Sequence, residues 1–359
     1  MSQLRTVQVL GGGAGSSAHV SSLAAGLVAR GVQVTVCAPA GSERAHGLPA
    51  TGARFVAVPR RSDPAAVAAL RTACTGADIV HAHGLHAAVR AGMALSGRGT
   101  PLVVTWHTRA HAEGARGRLL RLLERRAARA AAVVLGTSWE LVDRARRRGA
   151  KDARIAPAAI PASRCPGAPE PGEGGKTRAE LGAVGRPLLV SVAQHDHGTL
   201  LDAVREWRAL DPAPLLAVVG EGPRAGALRR RIAAEELPVV LTGASGDVGG
   251  LLAAADVAVL SGRGEGGPLL AREALRIGIP LVATRTDGLP ELLGEAAELV
   301  PYGDAGALAG AVVRLLGDPE QRERLAASGR AQAASWPTED DTIAHVLSVY
   351  DELAQPPVT

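Results

Sequence analysis

Short apolar runs recur along this chain, each followed by a longer helical stretch, and the pattern is run through twice with a single break. In the first pass TVQVL (6–10), VQVTVCAP (32–39), ADIVHAH (77–83), PLVVTWH (101–107) and AAVVLGTS (131–138) read as strands. The glycine-rich turn GGGAGSS and the helix HVSSLAAGLVARG follow the first of them. Apolar strands alternating with helices predict parallel sheets covered on both faces, because a helical crossover is what returns the chain to the same end of a sheet. The stretch PAAIPASRCPGAPEPGEGG (157–175) is dense in Pro and Gly and has no period, as a linker has none. The pattern restarts with PLLVSVA (187–193), PLLAVVG (214–220), PVVLTG (238–243), DVAVLSG (256–262) and PLVATR (280–285). The expected fold class is therefore α/β, with two doubly wound units and a cleft between them. Ligands in such sheets sit at the carboxyl ends of the strands.

A length of 359 residues suits two domains with separate cores. Aromatic residues are 2% of the chain while apolar residues are 47%, so Ala, Val and Leu must fill those cores. Cys37, Cys74 and Cys165 are too far apart for a disulfide framework or a metal cluster, and they suit a reducing compartment. The start MSQLRTVQVLGGG enters a strand without an apolar signal core, and no run of about 18 apolar residues offers a spanning helix. A cytoplasmic chain is expected. Charge divides unevenly: residues 1–165 hold 23 basic and 8 acidic side chains, the remainder 17 and 27. A basic first half attracts anions. Nucleic acid is not expected, since no reader motif or aromatic-studded basic face accompanies the charge.

The motif richest in chemistry is SGRGEGGPLLAREALRIGIPLVAT (261–284). Glu265 stands on a glycine-rich turn after a strand, and Glu273 two turns into the helix that follows. Helix-start amides can receive a phosphate, and a carboxylate accepts paired hydrogen bonds from vicinal hydroxyls of a sugar. With this E-x7-E pair in place, the chain resembles the retaining GT-B glycosyltransferases of family 4. Other segments resemble that family in order: AGSSAHV (14–20), DIVHAHG (78–84), VVTWHT (103–108), VVGEGPR (218–224), TDGLPELL (286–293) and SWPT (335–338). The resemblance implies two Rossmann-like β/α/β domains: 1–160 for the acceptor, a linker at 161–178, and 179–335 for the donor. It also implies a helix at 336–359 crossing back to the first domain.

The resemblance implies roles as well. Glu273 would hold ribose hydroxyls of the nucleotide, while Glu265, with the amides of Gly266 and Gly267, would face the donor sugar. His107 would stand beside the transferred sugar, and Gly15 would let the backbone approach the diphosphate. Gly220 and Arg224 fall on a donor-side loop. His19 either shares the site or only caps and packs. The co-substrate would be a UDP- or GDP-sugar, with no metal or other cofactor. His81, His83 and His86 are read as no metal cluster, since no carboxylate or thiol joins them. Where the family carries a diphosphate-binding Arg and Lys, this chain has Gln194 at the Arg position and no Lys after it, leaving a partial charge from His195 or His197, or Arg263 or Arg224, to compensate. A second reading follows from that departure: a non-catalytic homologue that binds a nucleotide sugar or a partner enzyme. In GARGRLLRLLERRAARA (114–130), Arg118, Arg121, Arg125 and Arg129 share one helix face and Leu119, Leu122 and Leu123 another. Such a helix suits either an anionic membrane surface, as a peripheral contact, or an ordinary core position with a solvated outer face.

Overall fold

A computed structural model describes residues 3–11, 14–42, 47–59, 64–107, 114–156, 173–192, 198–220, 225–243, 248–262, 266–286 and 288–354. The chain divides into two compact units, one formed by Met1–Pro161 with Pro337–Thr359 and the other by Ala162–Trp336. The first unit runs β1 (Arg5–Leu10), α1 (Ala14–Ala29), β2 (Gln33–Ala38), β3 (Arg54–Ala57), α2 (Pro64–Ala73), β4 (Ile79–His83), α3 (Leu85–Ala94), β5 (Leu102–Trp106), α4 (Gly114–Ala130), β6 (Val133–Gly136), α5 (Trp139–Arg147) and β7 (Ala153–Ile155). Its strands are all parallel, in the order β3-β2-β1-β4-β5-β6-β7.

The second unit runs α6 (Glu173–Leu181), β8 (Leu188–Val192), α7 (Gly198–Trp207), β9 (Leu215–Val219), α8 (Ala225–Ala234), β10 (Val239–Gly243), α9 (Val248–Ala254), β11 (Val257–Leu260), α10 (Gly266–Ile277), β12 (Leu281–Thr284), α11 (Leu289–Leu293), β13 (Glu298–Val300), α12 (Ala305–Gly317) and α13 (Pro319–Ala334). Its parallel order is β10-β9-β8-β11-β12-β13. The last helix, α14 (Glu339–Ala354), belongs to the first unit. Both units are thus Rossmann-like. In each the strand order reverses beside the first strand, at β1/β4 and at β8/β11, and such a reversal opens a crevice at the strands' carboxyl ends.

Each sheet has a core on both faces. In the first unit Val7, Val9, Val80, Ala82, Val104 and Trp106 point toward α2–α5, while Leu10, Ile79 and Val103 point toward α1 and α14. Few of these side chains are large, so close backbone approach replaces bulk. Gly26 of α1 shows it: a Cβ there would overlap Ile343 Cδ1 of α14 and fall 2.8 Å from its Cγ1. Ion pairs hold the rim of α14, from Arg30 to Asp340 at 2.9 Å and from Arg154 to Glu352 at 2.7 Å.

The structure departs from the sequence reading in three places. Helix α1 begins at Ala14, so Gly15 and Ser16 are helical where a turn was expected, and His19 lies in the second turn rather than at the helix start. Helix α6 begins at Glu173, inside the stretch read as linker, because EGGKTRAEL regains helix formers once the prolines end. The short strands β3, β7 and β13 went unread, since they offer only three or four residues each.

Candidate functional site

Strand alternation gathers polar groups on one face of the first unit. Side chains of period two put Thr6 and Gln8 of β1, His81 and His83 of β4, and Thr105 of β5 on the side covered by α1 and α14. All five are buried, so each must find partners. Tyr350, from α14, supplies the central one. Gln8 Nε2 donates to the Tyr350 hydroxyl at 3.0 Å, which leaves that hydroxyl to donate to His81 Nδ1 at 2.7 Å. His81 then carries its proton on Nε2 and gives it to Thr105 Oγ1 at 2.6 Å. The Gln8 carbonyl oxygen takes the Nε2 proton of His83 at 3.0 Å.

At the carboxyl end of this layer, beside the β1/β4 reversal, three imidazoles meet. The ring centroids of His19 and His107 are 5.1 Å apart, those of His19 and His83 5.6 Å, and those of His83 and His107 5.8 Å. His107 follows directly on β5, and its Nε2 is buried without a partner, as is His83 Nδ1. Burial, seconded by His19, pushes His81 down to about 3. Burial, with the neighbouring imidazoles, also holds His83 and His107 well below the usual histidine range. These rings are neutral at neutral pH, and so can accept a hydrogen bond from a hydroxyl. Nearby, buried Arg90 donates to the carbonyls of Pro59 and Leu10, each at 3.0 Å, placing a guanidinium at the end of β1. Main-chain carbonyls leave its charge uncancelled, which favours an anion there.

In the second unit α10 starts six residues after β11 ends, with Gly266 and Gly267 in its first turn. Glu273 lies in the second turn, only 11% exposed, and its carboxylate receives Arg276 Nη2 at 2.7 Å and Nε at 3.2 Å. Gly220 sits at the end of β9 with φ 100°, and its amide donates to the Gly243 carbonyl at 2.8 Å. Glu265, Arg263, Arg224, Gln194 and His195 lie outside the described residues.

The structure brings together His19 and His107, from the predicted set, and adds His83, Gln8, Tyr350 and Arg90, which the sequence reading missed. A signal for part of this was present: polar residues at every second position of TVQVL, IVHAH and VVTWH. The trio His81, His83 and His86 is split, because His86 stands on α3 and lines a groove against α4. That groove, of about 1010 Å³, has Ala88, Val89, Met93 and Leu123 in its walls and Arg125, Arg126 and Arg129 along it. Helix α4 packs one face on the core and turns the other to solvent. It buries Gly117, Glu124, Ala127 and Ala128, and leaves Leu119 56% and Leu122 62% exposed. Glu124 is buried because Arg144 and Arg148, at and just beyond the end of α5, bind it at 2.6 and 2.7 Å. Among the described residues, no helix is long and apolar enough to cross a membrane.

Two family models match the chain in succession, a glycosyl transferase 4-like domain over residues 14–160 and glycosyl transferases group 1 over 178–318. A GDP-mannose-dependent alpha-(1-6)-phosphatidylinositol dimannoside mannosyltransferase of Mycobacterium tuberculosis is 37% identical over 124 residues, covering 34% of this chain and 32% of that protein. The chain thus aligns with about a third of that relative's length. A GDP-mannose-dependent alpha-(1-6)-phosphatidylinositol monomannoside mannosyltransferase of Mycolicibacterium smegmatis is 31% identical over 212 residues, covering 52% of this chain and 54% of that one. Among solved structures, Anabaena HepE in complex with UDP and glucose superposes with a TM-score of 0.80 at 17% identity, over 97% of this chain and 99% of that one.

Proposed function

The chain belongs to the family 4-type glycosyltransferases of GT-B fold, and on that premise we propose that it moves a hexose from a nucleotide sugar to an acceptor hydroxyl with retention of configuration. The observation that carries this reading is the meeting of His19 and His107 at the carboxyl ends of β1, β4 and β5, in a layer whose tautomers the fold sets. A neutral His107 with an unpartnered Nε2 can accept a hydrogen bond from a sugar hydroxyl without bringing a charge to the reacting carbon. The donor belongs to the second unit. There Glu273 would exchange its bonds to Arg276 for ribose hydroxyls, while the helix-start amides of Gly266 and Gly267 would face phosphate or sugar. Glu265, Gly220, Arg224 and Arg263 would complete that side. No metal is needed in this scheme.

The leaving nucleotide diphosphate can itself take the acceptor proton, so that no carboxylate nucleophile is required. GDP-mannose is the first donor to test, being the donor of the two mycobacterial relatives, with UDP-glucose second. The acceptor we propose is anionic and held at a membrane surface, on the strength of the exposed leucines and arginines of α4. The chain would then work as a peripheral protein on the cytoplasmic face.

Calorimetric titration with GDP- and UDP-sugars, followed by transfer to phosphoinositide acceptors, tests the proposal. Binding accompanied by turnover is expected. In Glu273→Ala the dissociation constant should rise about tenfold to a hundredfold, the effect of losing hydrogen bonds to a charged group. Nucleotide binding indifferent to that change would remove Glu273 from the site, and binding without any turnover would end the transferase reading.

A further inference from the structure

His19, His83 and His107 come from three separate elements, yet each offers a ring nitrogen within 4.8 Å of those of the other two. Hydrogen bonding settles which nitrogen His83 has to offer. With the Gln8 amide placed so that its Nε2 donates to Tyr350, its Oε1 faces His83 Nε2 and takes that nitrogen's proton. His83 Nδ1 therefore holds a lone pair, and it is buried without a partner, like His107 Nε2. A histidine whose far nitrogen donates to a fixed acceptor is the arrangement that orients metal-binding imidazoles.

We propose that these three histidines bind one divalent transition-metal ion, with Zn²⁺ as the type case, leaving its fourth position open. Three nitrogens on a tetrahedral shell of about 2.0–2.1 Å stand roughly 3.3 Å apart, so separations of up to 4.8 Å must shorten by at most about 1.5 Å. An all-imidazole set suits Zn²⁺, Co²⁺ or Ni²⁺ and gives little to Mg²⁺ or Mn²⁺, which favour oxygen ligands. The ion is an inhibitor rather than a cofactor. It occupies the nitrogens that would face the transferred sugar, a clause that rests on the functional reading above, whereas the binding itself does not.

The test is titration of the untagged, metal-free, full-length chain with Co²⁺, read by its visible ligand-field absorption, and then displacement by Zn²⁺. One equivalent should bind with an all-nitrogen spectrum lacking a thiolate charge-transfer band. Affinity should fall in His83→Ala and His107→Ala by more than the roughly 10–100-fold that loss of an outer-shell partner costs. His83→Gln keeps a side chain for Gln8 and guards against misfolding, and it should lose the ion as well while retaining the native circular dichroism. The exposed His345→Ala should bind Co²⁺ as the parent does. Absence of a ligand-field spectrum, a thiolate band, or binding unchanged in both His83 variants would overturn the site. If the ion binds and nucleotide sugars do not, the metal site stands and the transferase reading fails; if both bind, Zn²⁺ should inhibit transfer and Mg²⁺ should not.

Discussion

Cys37 and Cys74 share the apolar cluster on the α2–α5 face of the first unit's sheet. Burial pushes the Cys37 thiol up to about 12, with Cys74 adding to the rise and Arg54 opposing it; burial takes Cys74 to about 11 against the pull of Arg98. Both values lie above the ordinary thiol value, so the stability owed to neutral thiols is complete below about pH 9 and is lost as pH climbs toward 11 and 12. Each thiol adds a slope of up to about 1.4 kcal/mol per pH unit in that window. Denaturant unfolding at pH 8, 9 and 10 should show the parent losing stability faster than Cys37→Ala/Cys74→Ala; parallel curves would mean that the thiols ionise freely in the folded protein. At this scale the sequence told part of the story. The strand-end place of His107 follows from the run PLVVTWH, but its closeness to His19 depends on β1, β4 and β5 lying side by side, which spacing along the chain does not encode. Tyr350 is 342 positions from Gln8, its hydrogen-bond partner, and nothing local marks it.

Among the elements, α14 and α4 are the least ordinary. Helix α14 packs on α1 through a glycine, so Gly26→Ala should drive Ile343 out of place and cost about 1–3 kcal/mol, the usual penalty of overpacking. Shortening the partner in Gly26→Ala/Ile343→Ala should recover part of the loss, and a double variant no better than the sum of the singles would show that the two side chains do not meet. Helix α4 turns a carboxylate inward. Glu124→Ala leaves Arg144, 12% exposed, without the partner it holds at 2.6 Å, and should lower stability by about 3–5 kcal/mol in chemical denaturation. A change under 1 kcal/mol would place the pair in solvent. The elements read most easily were long apolar strands flanked by helices. Those missed were edge strands such as Arg54–Ala57, half-buried or exposed along their length and therefore without a clear apolar run.

Over the whole molecule, charge and connectivity pull in different directions. The basic first half would be more strongly positive as a unit, but Pro337–Thr359 returns to it with five acidic residues and no Arg or Lys. Asp340 and Glu352 among them neutralise Arg30 and Arg154 at the rim of α14, leaving the arginines of α4 exposed. Binding to vesicles should therefore require anionic lipid and weaken as salt rises from 50 to 500 mM, conditions chosen to shorten the Debye length from roughly 14 to 4 Å. Leu119→Ser/Leu122→Ser should reduce sedimentation at every salt concentration, and equal binding to neutral vesicles would discount the arginines.

The return of α14 also sets a timetable. A ribosome releases β1, β4 and β5 early, yet Gln8 and His81 wait for Tyr350, which arrives roughly 200 residues after β7, or about 10–40 s later at ordinary elongation rates. The second unit, contiguous in the chain, can be finished first. The nascent first unit must pass that interval with one face of its sheet only half covered, so the tract begun last is the one able to complete first.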